Sequence, residues 1–153
     1  MEIRKLTSMW EQGREMTRKL AGAIPSGKEA FRAAPGAMPA GLQVLHCISS
    51  ERTAVAALTG PDGRWEWDQG LDLEHYPTIE SILKVLEEQT EATRRYFAGL
   101  SDEDLGREVR LPWGEVWTLE EFWVIWMNHE AHHRGSLVTT LRVMGVEPPN
   151  IWG

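Results

Sequence analysis

The stretch that begins at Thr118 constrains the fold most, because it carries both the start and the stop signal of one long helix. Thr118 and Glu121 have the spacing of a capping box, in which each side chain accepts a hydrogen bond from the other residue's backbone N–H. Gly145 suits the position just after a helix, and the Pro-Pro pair that follows cannot continue one. The pattern predicts a helix over 119–144, about 39 Å long.

Three earlier segments carry apolar residues at a 3.6-residue period and predict three further helices. Their apolar stripes run from Leu6 to Leu20, from Leu42 to Ala56 and from Ile79 to Leu100. Thr7 or Ser8 is the candidate start signal of the first helix, and Thr78 is that of the third.

The segment between the third and fourth helices has a different pattern. Val109 and Leu111 alternate with charged residues, and residues 112–114 (Pro-Trp-Gly) can form a turn. This predicts a small hairpin or an extended loop before the last helix. Four amphipathic helices with little strand predict an all-α protein, an antiparallel four-helix bundle. The length predicts a single domain over 1–153.

The charge balance and the cysteine content narrow the class of protein. The formal net charge is −7 and there is no run of Lys and Arg, so nucleic acid and anionic membranes are poor candidate partners. Cys47 is the only cysteine, which excludes an intrachain disulfide and fits a reducing compartment. No segment has the roughly 20 apolar residues of a membrane span or the apolar stretch of a signal peptide. These features predict a cytoplasmic protein.

Three of the five histidines fall within residues 129–133, on the predicted last helix. One helix face is traced by Phe122, Ile125, Trp126, His129, His133 and Leu137. His129 and His133 are four residues apart, so their rings can converge on one ion. A buried imidazole without a partner costs about 1–3 kcal/mol, and a metal would satisfy both rings. The alternative is a half-exposed pair that bonds only to backbone carbonyls.

A third ligand must come from another segment, and His46 is the natural candidate because it lies in the stripe of the second helix. A lone histidine there is more often a satisfied core residue; the four-apart pair shifts the balance toward a ligand. Cys47 points about 100° away from His46 and is expected to be a packed thiol. His132 is better placed to flank the pair than to be a ligand, and His75 is expected on a surface loop.

Three stretches together resemble the DinB-like (DinB/YfiT-like) superfamily of four-helix-bundle metalloproteins. They are LQVLHCISSERTAV, LPWGEVWTLEEF and NHEAHHRGSLVTTLRVMGVEPP. The resemblance implies that His46, His129 and His133 hold the metal and that the chain forms a homodimer. Family members include S-transferases that use low-molecular-weight thiols such as bacillithiol, and mycothiol-dependent isomerases. Ser136 stands where many members have Gln, which leaves the ligand set intact.

Three neutral imidazoles leave coordination positions open, which is typical of a catalytic metal site. Such an ion, for example Zn, Ni, Fe or Cu, can lower the pKa of water or hold a thiolate. We therefore predict a divalent-metal-dependent thiol S-transferase or hydrolase acting on a small molecule; the alternative is a non-catalytic metal- or ligand-binding bundle. The expected pocket walls are Phe122, Trp123 and Trp126. His132 or Glu130 could move a proton or orient a ligand, although solvated helix surface is favoured for Glu130.

Overall fold

The computed structural model of the chain describes residues 1–67 and 70–152, and four helices form most of that part. They are α1 (Ile3–Gly22), α2 (Ala40–Thr59), α3 (Ile79–Ala98) and α4 (Leu119–Val143). A 3-10 turn (Glu103–Gly106) and two strands, β1 (Glu108–Arg110) and β2 (Val116–Thr118), lie between α3 and α4. The strands pair antiparallel. The predicted four-helix bundle with a small hairpin before the last helix is confirmed. None of the described helices is long and apolar enough to cross a membrane.

The ends of α4 follow from local chemistry, as predicted. The Thr118 hydroxyl accepts from the Glu121 N–H at 3.2 Å, and the Glu121 carboxylate accepts from the Thr118 N–H at 2.8 Å. The helix ends at Val143, and Gly145 has a φ of 80°, in the left-handed region that glycine adopts without strain.

The start of α1 differs from the prediction. The helix begins at Ile3, so neither Thr7 nor Ser8 starts it. The first backbone N–H of the helix is capped by a carboxylate far along the chain: Asp102 accepts from the N–H of Ile3 at 2.7 Å. The Thr7 hydroxyl donates to the Ile3 carbonyl inside the helix instead. A cap that comes from residue 102 leaves no local pattern in the sequence.

Two apolar clusters at opposite ends of the bundle fix the helix directions. One cluster contains the last turns of α1 and α4 and the first turns of α2 and α3. The other contains the first turns of α1 and α4 and the last turns of α2 and α3. Hence α1 and α4 run one way while α2 and α3 run the other. Each of α1 and α2 packs beside both α3 and α4. Every helix therefore has one parallel and one antiparallel neighbour.

The parallel pair α2 and α3 requires a connection that returns along the whole bundle. Residues 60–67 and 70–78 are the described part of this crossover. Near its start, the Trp65 ring packs against Phe122 and Trp126 of α4, and farther along Leu71 joins the opposite apolar cluster. Its described residues therefore contact both apolar clusters.

A layer of buried polar side chains separates the two apolar clusters. We call it the polar layer; its charged members are Arg14, Glu51 and Glu130. Glu51 accepts from Arg14 Nη2 at 2.5 Å, from Trp10 Nε1 at 2.9 Å and from Thr93 Oγ1 at 2.6 Å. Since these partners lie on α1 and α3 and Glu51 itself lies on α2, the layer ties three helices together through one carboxylate.

Glu130 links α4 to the same layer, which corrects the prediction that it is solvated helix surface. It is only 7% exposed. It accepts from Thr17 Oγ1 at 2.5 Å and from Arg14 Nη2 at 3.3 Å. The sequence pattern missed this because the partners of Glu130 lie on α1, more than 110 residues away.

Candidate metal centre

Three imidazoles converge between α2 and α4 at the level of the polar layer. His46 comes from α2, and His129 and His133 come from consecutive turns of the antiparallel helix α4. The Nε2 of His129 lies 3.1 Å from the Nε2 of His46 and 3.2 Å from the Nε2 of His133. One ligand nitrogen from each ring lies within 4.8 Å of the others. We refer to these three residues as the histidine cluster.

The geometry of the histidine cluster fits a metal ion. Two nitrogens bound tetrahedrally to one zinc at about 2.0–2.1 Å are about 3.3–3.4 Å apart, close to the spacings found here. Hydrogen bonds within the cluster could not satisfy all three rings, because His129 Nε2 faces both partners and can make one good bond. An ion among the three nitrogens suits every ring at once.

The protonation of the cluster also favours a metal. Burial lowers the pKa of His46. Burial and the nearby charge of His46 lower the pKa of His129. Burial, together with the charges of His129 and His46, lowers the pKa of His133 to about 4. The three rings are therefore neutral at pH 7, which is the form that binds a cation.

Aromatic rings flank one side of the cluster. The Trp126 ring lies 5.9 Å from the His129 ring, centroid to centroid, and Phe122 stacks behind Trp126 at 4.7 Å. Trp65 from the crossover packs against Trp126 at 6.0 Å, and its Nε1 donates to the Arg110 carbonyl at 3.1 Å. Trp65 was absent from the predicted pocket because nothing in the sequence shows where the crossover lies.

Trp123, predicted as a pocket wall, lies in the core instead. It is 0% exposed and packs against Phe97 at 4.7 Å and Tyr96 at 5.8 Å. Its place on the helix turns it into the apolar cluster around Phe97. Ile125 was placed on the core-facing stripe of α4, but it is 47% exposed. The inward face of α4 is therefore rotated from the predicted one, although His129 and His133 both stay on it.

The remaining candidate residues surround the cluster without joining it. His132 is exposed, with its ring edge-on to His133 at 5.1 Å. His75 is exposed, as predicted, and pairs with Asp72 at 2.8 Å. Cys47 is the expected packed thiol, and burial raises its pKa so that it stays protonated. Ser136 is exposed on α4.

Comparisons with known proteins agree with this architecture. A family model described as the DinB superfamily matches residues 9–137. A DinB-like protein from Bacillus cereus ATCC 10987 superposes with a TM-score of 0.78 at 20% identity, covering 99% of this chain and 98% of that chain. A DinB-like protein (YjoA) from Bacillus subtilis gives a TM-score of 0.75 at 23% identity, with coverages of 96% and 97%.

A third structure carries a functional description. YfiT from Bacillus subtilis is described as a probable metal-dependent hydrolase with an unusual four-helix bundle topology. It superposes with a TM-score of 0.70 at 17% identity, covering 95% of this chain and 89% of that chain. No curated protein matches the sequence. At these identities the likeness establishes the fold.

Proposed function

The chain belongs to the DinB superfamily, and from that premise we propose that it is a divalent-metal-dependent enzyme whose ion is held by His46, His129 and His133. One observation carries the proposal: three neutral imidazoles from two helices converge within 4.8 Å. The description of YfiT as a probable metal-dependent hydrolase supports it. Zn, Ni and Fe all suit imidazole ligands.

We propose a thiol S-transferase or a hydrolase that acts on a small molecule, in which a low-molecular-weight thiol or water is the nucleophile. With three neutral ligands, a bound divalent ion keeps its full charge and can lower the pKa of that nucleophile toward neutrality. The acidic protein favours neutral or weakly charged substrates over strongly anionic ones. A reducing compartment such as the cytoplasm would keep a thiol substrate available.

The side chains around the histidine cluster would have different roles in such a reaction. Trp126, held between Phe122 and Trp65, shields one side of the site from water and offers a flat apolar surface to a substrate. His132 is exposed beside His133 and can exchange protons with solvent. Glu130 accepts hydrogen bonds at both of its carboxylate oxygens, which holds its side chain in place behind the cluster.

The ligand assignment is tested with His129→Ala, which removes the ring whose Nε2 faces the Nε2 atoms of both others. Because two imidazoles alone hold a divalent ion weakly, stoichiometric metal should be lost, as measured by mass spectrometry of purified protein. His132→Ala is the matched control: it removes a neighbouring exposed histidine of the same helix and should leave the metal content unchanged. Equal metal content in wild type and His129→Ala would show that the ion is bound elsewhere.

Chelation separates an enzyme from a bundle that uses metal for stability. If the ion is catalytic, the chelated protein keeps its helical circular dichroism and loses turnover of a thiol with an electrophile, or of an ester or amide. Activity then returns with added ion. If chelation melts the helices and the loaded protein turns over none of these substrates, the metal is structural and the enzyme proposal fails.

A further inference from the structure

A small cavity lies next to the histidine cluster, among α1, α2 and α4. Gln43 and Cys47 line it from α2, His133 and Arg134 from α4, and Thr17 from α1. The space open to the centre of a water molecule is about 10 Å³. A cavity of this size takes a single water and no larger ligand, and a buried water is stable where it can bond to at least two polar groups.

Gln43 brings one such group to the cavity. Its side chain is 2% exposed, and its Nε2 donates to the Met38 carbonyl at 3.0 Å and to Thr140 Oγ1 at 3.2 Å. These two bonds fix the orientation of the amide, which leaves its oxygen as the acceptor. That oxygen, Oε1, is buried and has no hydrogen-bond donor within the described ranges. A buried acceptor without a donor costs about 1–3 kcal/mol, so a partner at this place is strongly favoured.

His133 brings the second group. Its Nε2 faces His129 Nε2 at 3.2 Å, so Nε2 is the nitrogen directed at the ion. A neutral imidazole that binds through Nε2 carries its proton on Nδ1. In the described part of the chain, the only hydrogen-bond contact of the His133 ring is the one to His129. Histidine ligands almost always donate the second ring N–H to a carboxylate, a carbonyl or a water.

We propose that Gln43 is a positioning residue for the metal site: one water held in this cavity accepts from His133 Nδ1–H and donates to Gln43 Oε1. The bridge holds the His133 ring in the tautomer whose Nε2 is free to bind the ion. The inference rests on the proposed metal-binding function and adds to it a residue that touches neither ion nor substrate.

Two other polar atoms at the cavity, the Thr17 hydroxyl and Arg134 Nη1, are already engaged. The Thr17 hydroxyl donates to Glu130 at 2.5 Å and lies 3.4 Å from Arg134 Nη1, which also donates to the Gly13 carbonyl. The Cys47 thiol is a weak donor and can add a third bond to the water. The Gln43 oxygen and the His133 ring remain as partners for the water.

The first test is made on the wild-type protein without metal. Nitrogen-15 NMR of labelled histidine should show His133 as the Nδ1–H tautomer, with that proton exchanging more slowly than in a free imidazole because it is hydrogen-bonded. In Gln43→Met the same proton should exchange faster and the tautomer preference should weaken. A His133 ring in the Nε2–H tautomer, or one unaffected by the change at residue 43, overturns the inference.

The second test measures cobalt(II) affinity by absorption titration. Loss of an outer partner of a metal ligand typically weakens binding by about 10–100-fold, and this is expected for Gln43→Met. Gln43→Glu keeps an oxygen acceptor but loses the two bonds from Nε2, so its cobalt affinity should return to at least the wild-type level without a matching return of stability. A purely structural role predicts instead that affinity follows stability in both variants.

Gln89→Met is the matched control, because Gln89 is also buried and hydrogen-bonded but lies on α3. It should leave the cobalt affinity and the absorption spectrum unchanged. If Gln43→Met and Gln89→Met behave alike, the positioning role is refuted while the metal site stands. If the wild type binds no cobalt, the proposed function fails, and the NMR result alone decides whether the water bridge exists.

Discussion

Replacing Arg14 with Met tests the polar layer directly. Arg14 is 3% exposed, and its Nη2 lies 2.5 Å from Glu51 and 3.3 Å from Glu130. Met fills a similar volume but leaves two buried carboxylates without the cation they share. Breaking a buried ion pair by removing one partner costs about 3–5 kcal/mol. For a chain of this length that corresponds to a fall of about 6–20 °C in melting temperature.

The pH dependence shows whether charge causes the loss. Burial raises the pKa of Glu51, and the positive charge of Arg14 opposes that rise. Without Arg14 the pKa rises further, so the folded variant binds a proton more tightly than the unfolded chain. Stability from such a group is complete below the unfolded pKa and is lost as pH rises through the folded pKa. The deficit should be largest at neutral pH and shrink as pH falls toward 4.5, the ordinary value for Glu.

Urea denaturation at neutral and mildly acidic pH provides the measurement. Arg18→Met is the control on the same helix, because Arg18 pairs with Glu15 in solvent and its loss should cost less than about 0.5 kcal/mol. Adding Glu51→Gln to Arg14→Met removes one uncompensated charge and should restore part of the stability. A deficit of the same size at both pH values would show that lost packing, not buried charge, is responsible.

Three further outcomes are expected. Burial and neighbouring charges lower the pKa of His133 to about 4, so the metal-free protein should lose stability as pH falls from 6.5 toward 4. The His133→Gln variant should lose less stability over the same pH range, which denaturant titrations measure. Gly41→Ala should destabilise by about 1 kcal/mol, since its Cβ would lie 2.8 Å from the buried Ile82 Cδ1, whereas Gly22→Ala, which meets nothing within 4 Å, should stabilise by about 0.5–1 kcal/mol. We propose a two-fold homodimer, so light scattering at micromolar concentration should give twice 17.4 kDa, and a monomer would refute it.

The features that the sequence predicted best depend on neighbouring residues. The capping box at Thr118 and Glu121, the glycine after α4 and the small hairpin each involve residues a few positions apart. The four-residue spacing of His129 and His133 is also local, because one helical turn fixes the relation between the rings. Such patterns can be recognised before the fold is known.

Features that depend on distant contacts were missed or misplaced. Trp65 reaches Trp126 only because the crossover runs along the bundle, and nothing in residues 60–78 gives that direction. The cap of α1 comes from Asp102, which follows α2 and α3 in the sequence. Trp123 was wrongly assigned to the pocket. Both the apolar core and the histidine cluster lie on the inner side of α4, and the sequence does not show which of the two an inward-facing aromatic side chain contacts.

The second helix shows why the polar layer could not be read from an apolar pattern. α2 is buried on more than one side: His46 faces α4, whereas Glu51 faces Arg14 of α1 and Thr93 of α3. A helix that is enclosed on several sides loses the contrast between an apolar and a polar face on which the prediction depends. Gln43 is hidden for the same reason, since its buried amide looks in sequence like a solvent-exposed residue. Buried polar groups such as Gln43 and Glu51 are therefore concealed in the sequence pattern, and the substitutions at Arg14 and Gln43 test separately what such groups contribute to folding and to metal binding.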